Sequence, residues 1–583
     1  MKVEFQKIYL LPFIILLTLS CGEDTTVTNS NAGDDTDETI QIEKPPRQFE
    51  SGNPGFFLDD WQPKNARVPN STQKEKLGGP VQAFVIADVE DEIAKIPNNL
   101  YGNNANTYMG QIVDEPKLLN QIQNLSPNVI RFPGGNLSNT YFWSAPLDNP
   151  PDDAPTRLID AETGESYTAS YWYGKNTQDW SISLDNYYRM LNRTDSKSMI
   201  TVNYSYARYG TGEHPVETAA KLAADWVRYD NGRTEYWEIG NENHGPWQTG
   251  YLIDTDVNKD GQPERITGAL YGEHFKIFAD SMRAAASEIG AEIKIGAQLM
   301  HFDASDSGNP VERTWNKGFF DSAGEAADFY IVHNYYTPYN ENSTVDTILE
   351  SAAPVTHDMM SWMNTTFDKF GITRKPIALT EWNIFAVGSN QYVSDISGIH
   401  AVMAIGEMMK NGYGMASRWN LANGWDGGDD HGMFNQGDEP GGVPKWNPRP
   451  EFYHLYYLQK MFGDHLIFSW EQGSASSQIA SYASSFESGH VALAVINTGS
   501  TDRVTKIELL NATPGNQYYW YTLEGGDDAL FSRQVHINEN KPEHVAGGPS
   551  NYQNIPAYSA STNDGIKIHA PGYSVTFVLV EPS

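Results

Sequence analysis

Two stretches of the sequence decide the predicted fold: YWEIGNEN at residues 236–243 and PIALTEWN at residues 376–383. In each, a short run of apolar and β-branched residues leads to a glutamate that has an asparagine close by. Such runs are typical of buried strands in a parallel sheet. Outward from them, between about residues 95 and 460, similar runs alternate with longer amphipathic stretches, which indicates repeated βα units.

Eight candidate strands follow this pattern, at residues 99–103, 129–134, 199–204, 236–241, 293–297, 329–334, 376–381 and 414–420. Helices are predicted between them, for example over 216–229, 271–289 and 399–411. Eight such units predict a (β/α)8 TIM barrel over residues 80–460, in which functional residues lie at the carboxyl ends of the strands. A doubly wound open sheet is the weaker alternative, because no glycine-rich nucleotide loop opens a helix after any candidate strand.

The last part of the chain, residues 461–583, has the pattern of antiparallel strands. Alternating segments separated by Gly, Pro, Asn and Asp occur at 466–470, 479–486, 490–497, 504–510, 517–523 and 574–580. This pattern predicts a C-terminal antiparallel β-sandwich domain. An earlier run at 81–89 is expected to join that domain.

The beginning of the chain has the layout of an export signal and a tether. Lys2 and Lys7 precede an apolar run at 8–19 that is too short to span a bilayer. Residues 1–20 are therefore predicted to be a signal peptide. Cys21, the single cysteine, follows directly and resembles the lipid-modified cysteine of bacterial lipoproteins. Residues 21–50 are acidic and poor in large apolar residues, which predicts a flexible tether. The expected location is the bacterial outer membrane, facing the cell surface or the periplasm; an ordinary signal peptide with an incidental cysteine is the alternative.

Charge and aromatic content narrow the classes of partner. The formal net charge of −34 excludes nucleic acid, since a phosphate backbone needs a basic footprint. The 15 Trp and 32 Tyr fit either a large core or a groove in which flat rings stack on sugars.

Glu242 and Glu381 are the candidate catalytic residues. In a barrel, the ends of the fourth and seventh strands open at the same mouth, so the two carboxylates are expected to face each other there. Two such carboxylates are the minimum equipment for cutting a glycosidic bond with retention of configuration. Glu242, between Trp237 and Trp247, is expected to have a raised pKa as general acid and base, and Glu381 to stay ionised as nucleophile.

Other polar and aromatic side chains are expected to surround these two glutamates. Arg131 is expected to pair with a barrel carboxylate beneath the site. The long insertion at 144–179, rich in Tyr, Trp and Asp, offers subsites for a polymer. The predicted substrate-binding residues are Asn136, Tyr141, Trp143, Asn241, Trp247, His333, Tyr335 and Trp419.

Three motifs carry a resemblance to a known group of enzymes: RFPGGN at 131–136, IGNENHGPWQ at 239–248 and TEWN at 380–383. Together they resemble the retaining clan A glycoside hydrolases, and among these the α-L-arabinofuranosidases of family 51, over roughly residues 80–583. The resemblance implies Glu242 as acid/base after the fourth strand and Glu381 as nucleophile at the end of the seventh. The expected activity is double-displacement hydrolysis of a plant or marine algal polysaccharide or its oligosaccharides.

One departure keeps the sugar open. Family 51 enzymes usually carry a Glu-His pair shortly after Tyr-Gly at the first strand, where it helps to hold arabinose. Here Tyr101-Gly102 is followed by NNANT at 103–107. A β-xylosidase of family 39 and an endo-β-agarase or porphyranase of family 86 are therefore alternatives, and a non-catalytic glycan-binding surface lipoprotein is the alternative of another class.

No catalytic metal or cofactor is expected. Asp256, Asn258 and Asp260 have the oxygen spacing of a calcium loop, but Thr267 stands where a bidentate glutamate would be needed. A solvated polar loop is the favoured interpretation, with a structural calcium ion as the alternative.

Overall fold

The computed structural model describes residues 40–75, 77–125, 129–305 and 308–583. The predicted signal peptide, Cys21 and the tether up to residue 39 lie outside the described residues. Residues 46–583 form one compact unit. The predicted tether is therefore too long at its end, because the amide of Glu50 already donates to Oδ1 of Asn411 at 2.8 Å. Within the described ranges, no helix has both the length and the apolar content needed to cross a membrane.

The predicted barrel is confirmed. Eight parallel strands close on one another, each pairing with its neighbours in chain order. In chain order, barrel strands 1 to 8 are Gly102–Asn104, Val129–Phe132, Lys197–Val202, Tyr236–Ile239, Lys294–Gln298, Phe329–Tyr335, Ile377–Asn383 and Met415–Arg418.

A helix follows each strand and covers the outside of the barrel, where the large apolar cluster of the core lies. The alternation of a strand with a helix that packs back on the sheet is what makes all eight strands parallel. The helices are Pro116–Asn124, Leu184–Thr194, Pro215–Asp230, Gly268–Ile289, Pro310–Ala323, Val345–Phe370, Asp395–Lys410 and Pro450–Met461, with a short additional turn at Tyr206–Tyr209.

A segment that the sequence left unassigned closes the amino-terminal end of the barrel. The short helix Gly55–Leu58 inserts Phe57, which is fully buried, among residues at the starts of the strands. The ring of Phe57 lies 5.1 Å from that of Tyr236 and 5.5 Å from that of Phe329. Gly414 lacks a side chain where this ring passes, since a Cβ there would lie 2.1 Å from Phe57.

The predicted C-terminal strands and the β-domain that they form are confirmed. All of them belong to one continuous sheet of eleven strands, in which 83–95, the extended form of the predicted run at 81–89, is a central member. The strand Ile566–Ala570, at one edge, also contacts Val491–Asn497 and Ser574–Pro582, so the sheet folds over a single apolar core. The strands are Ser71–Gln73, Ala83–Lys95, His465–Gln472, Ile479–Ser485, Val491–Asn497, Arg503–Leu510, Pro514–Gly525, Val535–Ile537, Ala557–Ser561, Ile566–Ala570 and Ser574–Pro582.

The insertion after barrel strand 2 has structure of its own. Tyr141–Phe142 pairs with Trp172–Tyr173, and Arg157–Ile159 forms a hairpin with Ser166–Thr168. The insertion therefore forms a small ordered layer between strand 2 and its helix.

The contact of Phe57 predicts a large effect on stability. Phe57→Ala is expected to lower the free energy of unfolding by about 3–5 kcal/mol, because a fully buried ring would leave a cavity at the closed end of the barrel. Urea unfolding followed by circular dichroism measures this. Val68→Ala, on an exposed side chain of the same segment, is the matched control and is expected to change it by less than about 0.5 kcal/mol. Equal effects of the two substitutions would contradict the proposal that Phe57 closes the amino-terminal end of the barrel.

Candidate active site

The candidate site is a cleft of about 660 Å³ at the carboxyl ends of the barrel strands. Its walls come from the loops after several strands, as the fold requires when the mouth of the barrel binds a ligand. Among the lining residues are Asn136, Glu242, Trp247, His333, Tyr335 and Glu381.

Glu381 lies inside barrel strand 7, where the ladder with strand 6 has a bulge. Val332 pairs with Leu379, but His333 pairs with Glu381, so Thr380 is the extra residue. A bulge of this kind re-aims side chains, and here both Thr380 and Glu381 make hydrogen bonds inside the barrel. Oε1 of Glu381 accepts from the hydroxyl of Tyr335 at 2.8 Å.

Glu242 lies just beyond strand 4, in a sharply bent segment. Its φ of 45° is in the left-handed region, which costs a residue other than glycine about 1–2 kcal/mol. Three side chains hold its carboxylate. Nδ1 of His333 lies 3.0 Å from Oε1, and Oε2 accepts from Nε1 of Trp247 at 2.8 Å and from Nε2 of Gln248 at 3.0 Å.

The two glutamates and His333 form one tight cluster. One carboxylate oxygen of each glutamate and one imidazole nitrogen all lie within 4.8 Å of one another. Nδ1 of His333 is 3.8 Å from Oε2 of Glu381. This separation of the two carboxylates fits the spacing of about 5–5.5 Å between carboxyl groups that direct attack on a sugar carbon needs, and it is shorter than the roughly 6.5–9.5 Å of inverting enzymes.

The electrostatics of this cluster differ from the expectation. Burial by itself would raise the pKa of Glu242, but the hydrogen bonds from His333 and Trp247 lower it to about 2. Burial and the charge of Glu242 raise the pKa of Glu381. Burial would lower the pKa of His333, yet hydrogen bonds to Glu238 and Glu242 and the charge of Glu381 raise it to about 9. These directions favour a protonated His333 beside an ionised Glu242, with Nδ1 of His333 3.0 Å from Oε1 of Glu242.

Trp237 plays no part in this. It is fully buried and donates to the carbonyl of Thr234, so the expected apolar wall beside Glu242 is not formed by this residue.

A buried ion pair supports the cluster from below. Arg131 donates to Glu238 through Nε at 2.5 Å and Nη2 at 3.1 Å, as expected for a barrel carboxylate beneath the site. The same guanidinium donates to Oδ1 of Asn241 at 2.7 Å and to Oε2 of Glu381 at 3.3 Å. Burial opposes the charge of Glu238, but Arg131 outweighs it and holds the pKa of that carboxyl at about 2. Asn104 completes the layer by accepting from Nη1 of Arg131 at 2.8 Å.

Asn136 and Asn241 lie beside the two glutamates. Oδ1 of Asn136 accepts from Nε2 of Gln248 at 2.6 Å. Asn241 is fully buried, and its Nδ2 has no protein partner among the described residues. An amide donor in this position is available to a ligand hydroxyl.

The prediction that Tyr141 and Trp143 bind substrate is wrong. Both are buried in the core below the insertion, where Tyr141 packs on Phe132 and Trp143 stacks on Trp226 at 5.9 Å. Nε1 of Trp143 donates to the carbonyl of Leu222. These two side chains therefore support the insertion and do not line the cleft.

Trp419, at the end of strand 8, lies against the glycine pair of RFPGGN. Gly135 has a φ of 64°, and a Cβ on it would lie 2.3 Å from the ring of Trp419. The half-buried ring thus fixes the loop that carries Asn136, and it is not among the residues that line the main cleft.

Asn104, at the end of strand 1, and Asn106, just after it, have structural roles. Asn104 binds Arg131, and the buried Asn106 donates to the carbonyls of Pro133 and Gly134. They hold the RFPGGN loop, so the chain has no acidic group for a sugar at this position.

Three residues of the site escaped the sequence analysis: Thr380, Gln248 and His431. The hydroxyl of Thr380 lies 2.9 Å from Nε2 of His333 and donates to Oε1 of Glu238, so it bridges the two side chains. Gln248 joins Glu242 to Asn136. His431 lines the cleft from the loop after strand 8. Gln248 lies in the IGNENHGPWQ motif and Thr380 in the TEWN motif, whereas nothing in a single sequence marks His431.

Polar side chains of the loop at 254–261 make hydrogen bonds within the loop and to Gln262. Oδ1 of Asn258 accepts from the amides of Asp260 and Gln262, and Oδ2 of Asp260 accepts from the side chain of Gln262. In the described ranges, the cluster of His, Asp and Glu with metal-like spacing is Glu242, His333 and Glu381.

Comparisons with known proteins agree with this geometry. The model of the alpha-L-arabinofuranosidase 1 domain matches residues 121–348, a range that holds Glu242. An intracellular exo-α-(1→5)-L-arabinofuranosidase of Bifidobacterium longum is 25% identical over 295 residues, which are 46% of this chain and 44% of that protein. The matches span about half the length of the curated relatives. The resemblance to α-L-arabinofuranosidases is confirmed.

Solved structures share the fold. The α-L-arabinofuranosidase of Thermotoga maritima superposes with a TM-score of 0.58 at 17% identity, covering 86% of this chain and 100% of that one. A monomeric β-xylosidase of Caulobacter crescentus, with a TM-score of 0.52 at 13% identity, covers 86% and 99%.

The proton on His333 can be observed directly. In protein labelled with ¹⁵N-histidine, NMR is expected to show one imidazole that stays protonated up to a pH of about 9 and disappears in His333→Gln. Glu242→Gln is expected to lower that pKa, because it removes a negative charge 3.0 Å away. The exposed Glu217→Gln is the matched control. An imidazole at position 333 that is neutral at pH 7 would contradict this account of the cluster.

Proposed function

We propose that this protein is a retaining glycoside hydrolase of the α-L-arabinofuranosidase type. The observation that carries the proposal is the approach of the Glu242 and Glu381 oxygens to within 4.8 Å in a barrel-mouth cleft. The match of residues 121–348 to the arabinofuranosidase domain supports the type of sugar.

In the proposed mechanism Glu381 attacks the anomeric carbon. Arg131 and Tyr335 hold its oxygens and keep them aimed at the cleft. Glu242 delivers a proton to the leaving oxygen, and that proton is the one it shares with His333. Once this proton has gone to the leaving group, His333 is neutral and Glu242 is a carboxylate that can act as a base. Glu242 then removes a proton from the water that releases the sugar.

The substrate is proposed to be a plant or algal cell-wall glycan or its oligosaccharides. The residues that line the cleft include four histidines but neither lysine nor arginine. Recognition of sulfate or carboxylate groups relies on such cations, so a neutral sugar fits the cleft better than porphyran or ulvan does. Product analysis with arabinan, xylan, agar, porphyran and ulvan separates the arabinofuranosidase proposal from the xylosidase and agarase alternatives. Absence of new reducing ends from all five would favour a glycan-binding protein.

Substitution of the two glutamates tests the roles. Glu381→Ala is expected to abolish hydrolysis of an aryl α-L-arabinofuranoside, because no other nucleophile lies at that position. Glu242→Ala is expected to retain the first step when the leaving group is a good one, and azide is expected to restore turnover with a glycosyl azide of retained configuration. Glu217→Gln, on an exposed carboxylate outside the cleft, is the matched control. Near-normal hydrolysis by Glu381→Ala, or a product of inverted configuration, would reject the mechanism.

We also propose that Cys21 carries a lipid that holds the chain at the outer membrane. The support is the sequence: a short apolar run that ends at the single cysteine, followed by an acidic segment. Cys21→Ser is expected to move the protein from the membrane fraction to the soluble fraction and to abolish palmitate labelling. Unchanged fractionation of this variant would contradict the anchor.

A further inference from the structure

A second cleft, of about 370 Å³, lies in the insertion after barrel strand 2. One wall is aromatic. Trp172 and Trp180 meet at 6.3 Å with their planes 68° apart, and Trp180 keeps 49% of its surface exposed. A large exposed indole is costly to leave in water and is a common platform for the flat face of a ligand. Tyr171 and Leu147 extend this wall.

The polar groups of this cleft are those that bind hydroxyls. Asp148, Ser170 and Asn176 contribute a carboxylate, a hydroxyl and an amide. Asp148 is the single charged residue of the lining, and no cation stands among the lining residues. Aromatic faces with neutral or anionic hydrogen-bonding groups suit a neutral polyhydroxylated ring, and they disfavour a sulfated or uronic one.

The insertion that holds the second cleft is linked to the loop after barrel strand 1 and through it to the end of strand 8. The amide of Gly110 donates to the carbonyl of Trp180 at 3.0 Å, so the insertion is fastened to the loop after strand 1. Tyr108, in that loop, connects the two sites. Its ring lies 6.3 Å from Trp172, and its hydroxyl accepts from Nδ2 of Asn420, next to Trp419, at 3.3 Å. Burial raises the pKa of Tyr108, and the charge of Glu381 raises it further, which places the phenol within electrostatic reach of the catalytic centre.

We propose that this second cleft is a distal subsite for a neutral sugar residue of an extended glycan, whose scissile bond lies between Glu242 and Glu381. This rests on the proposed function and deepens it. The substrate is then a polymer or long oligosaccharide that is held at two points, and a single sugar on a small leaving group occupies only the catalytic cleft.

Binding is tested without turnover. In the full chain carrying Glu381→Gln, affinity electrophoresis and calorimetry are performed with arabinan, xylan, agar and long oligosaccharides prepared from them. Trp172→Ala and Trp180→Ala are each expected to weaken binding of at least one of these neutral glycans about tenfold, which corresponds to the loss of one aromatic contact. Trp180→Phe keeps a flat ring and is expected to recover most of the affinity. Leu530→Ala, an exposed apolar residue of the C-terminal sheet, is the control and is expected to have no effect.

Turnover provides a second measure. In the otherwise native protein, the ratio of kcat/KM on the polymer to kcat/KM on an aryl glycoside is expected to fall about tenfold in Trp172→Ala and Trp180→Ala. The proposal is overturned if the glycan affinities of these variants equal those of the Glu381→Gln parent, if Trp180→Phe is as weak as Trp180→Ala, or if both substrates lose efficiency equally. Failure of the proposed function would appear differently, as an absence of hydrolysis by the native protein.

Discussion

The fold and the site both depend on the buried ion pair of Arg131 with Glu238. Neither side chain is exposed, and together they fill the centre of the barrel below the cleft. Removing one partner of such a pair leaves an uncompensated charge and costs about 3–5 kcal/mol. The same guanidinium reaches Asn241 and Glu381, so the charge that holds strands 2 and 4 together also fixes the residues of the site.

Local signals in the sequence were sufficient for the barrel and for the two glutamates. Each barrel strand is a short buried run, and the pairing of strands in chain order follows from the βα alternation. Glu242 and Glu381 could be placed at one mouth by strand number alone. The position of Phe57 at the closed end of the barrel was not predictable, because its partners, among them Tyr236 and Phe329, come from strands that are distant in the sequence.

Within the site, residue types were easier to predict than their orientation and protonation. Tyr141 and Trp143 follow the RFPGGN motif, yet they point into the core because the insertion needs its own apolar support. The way in which the cluster lowers the pKa of Glu242 and raises that of Glu381 was not predictable from the sequence either. It depends on His333, which approaches Glu242 only because strand 6 lies between the two glutamates and because the bulge at Thr380 re-registers strands 6 and 7.

The bulge in strand 7 affects which atoms would have to move during the proposed attack on the sugar. Glu381 is embedded in a hydrogen-bonded ladder that runs on to Asn383, and its oxygens are gripped on two sides, so the attacking atom is stationary. In the proposed reaction the anomeric carbon would therefore move towards the carboxylate, and the sugar ring would flatten as it does so. The free energy for that distortion has to come from contacts far from the breaking bond. In the proposed mechanism, a nucleophile held in this way would make turnover depend on how tightly the rest of the glycan is bound.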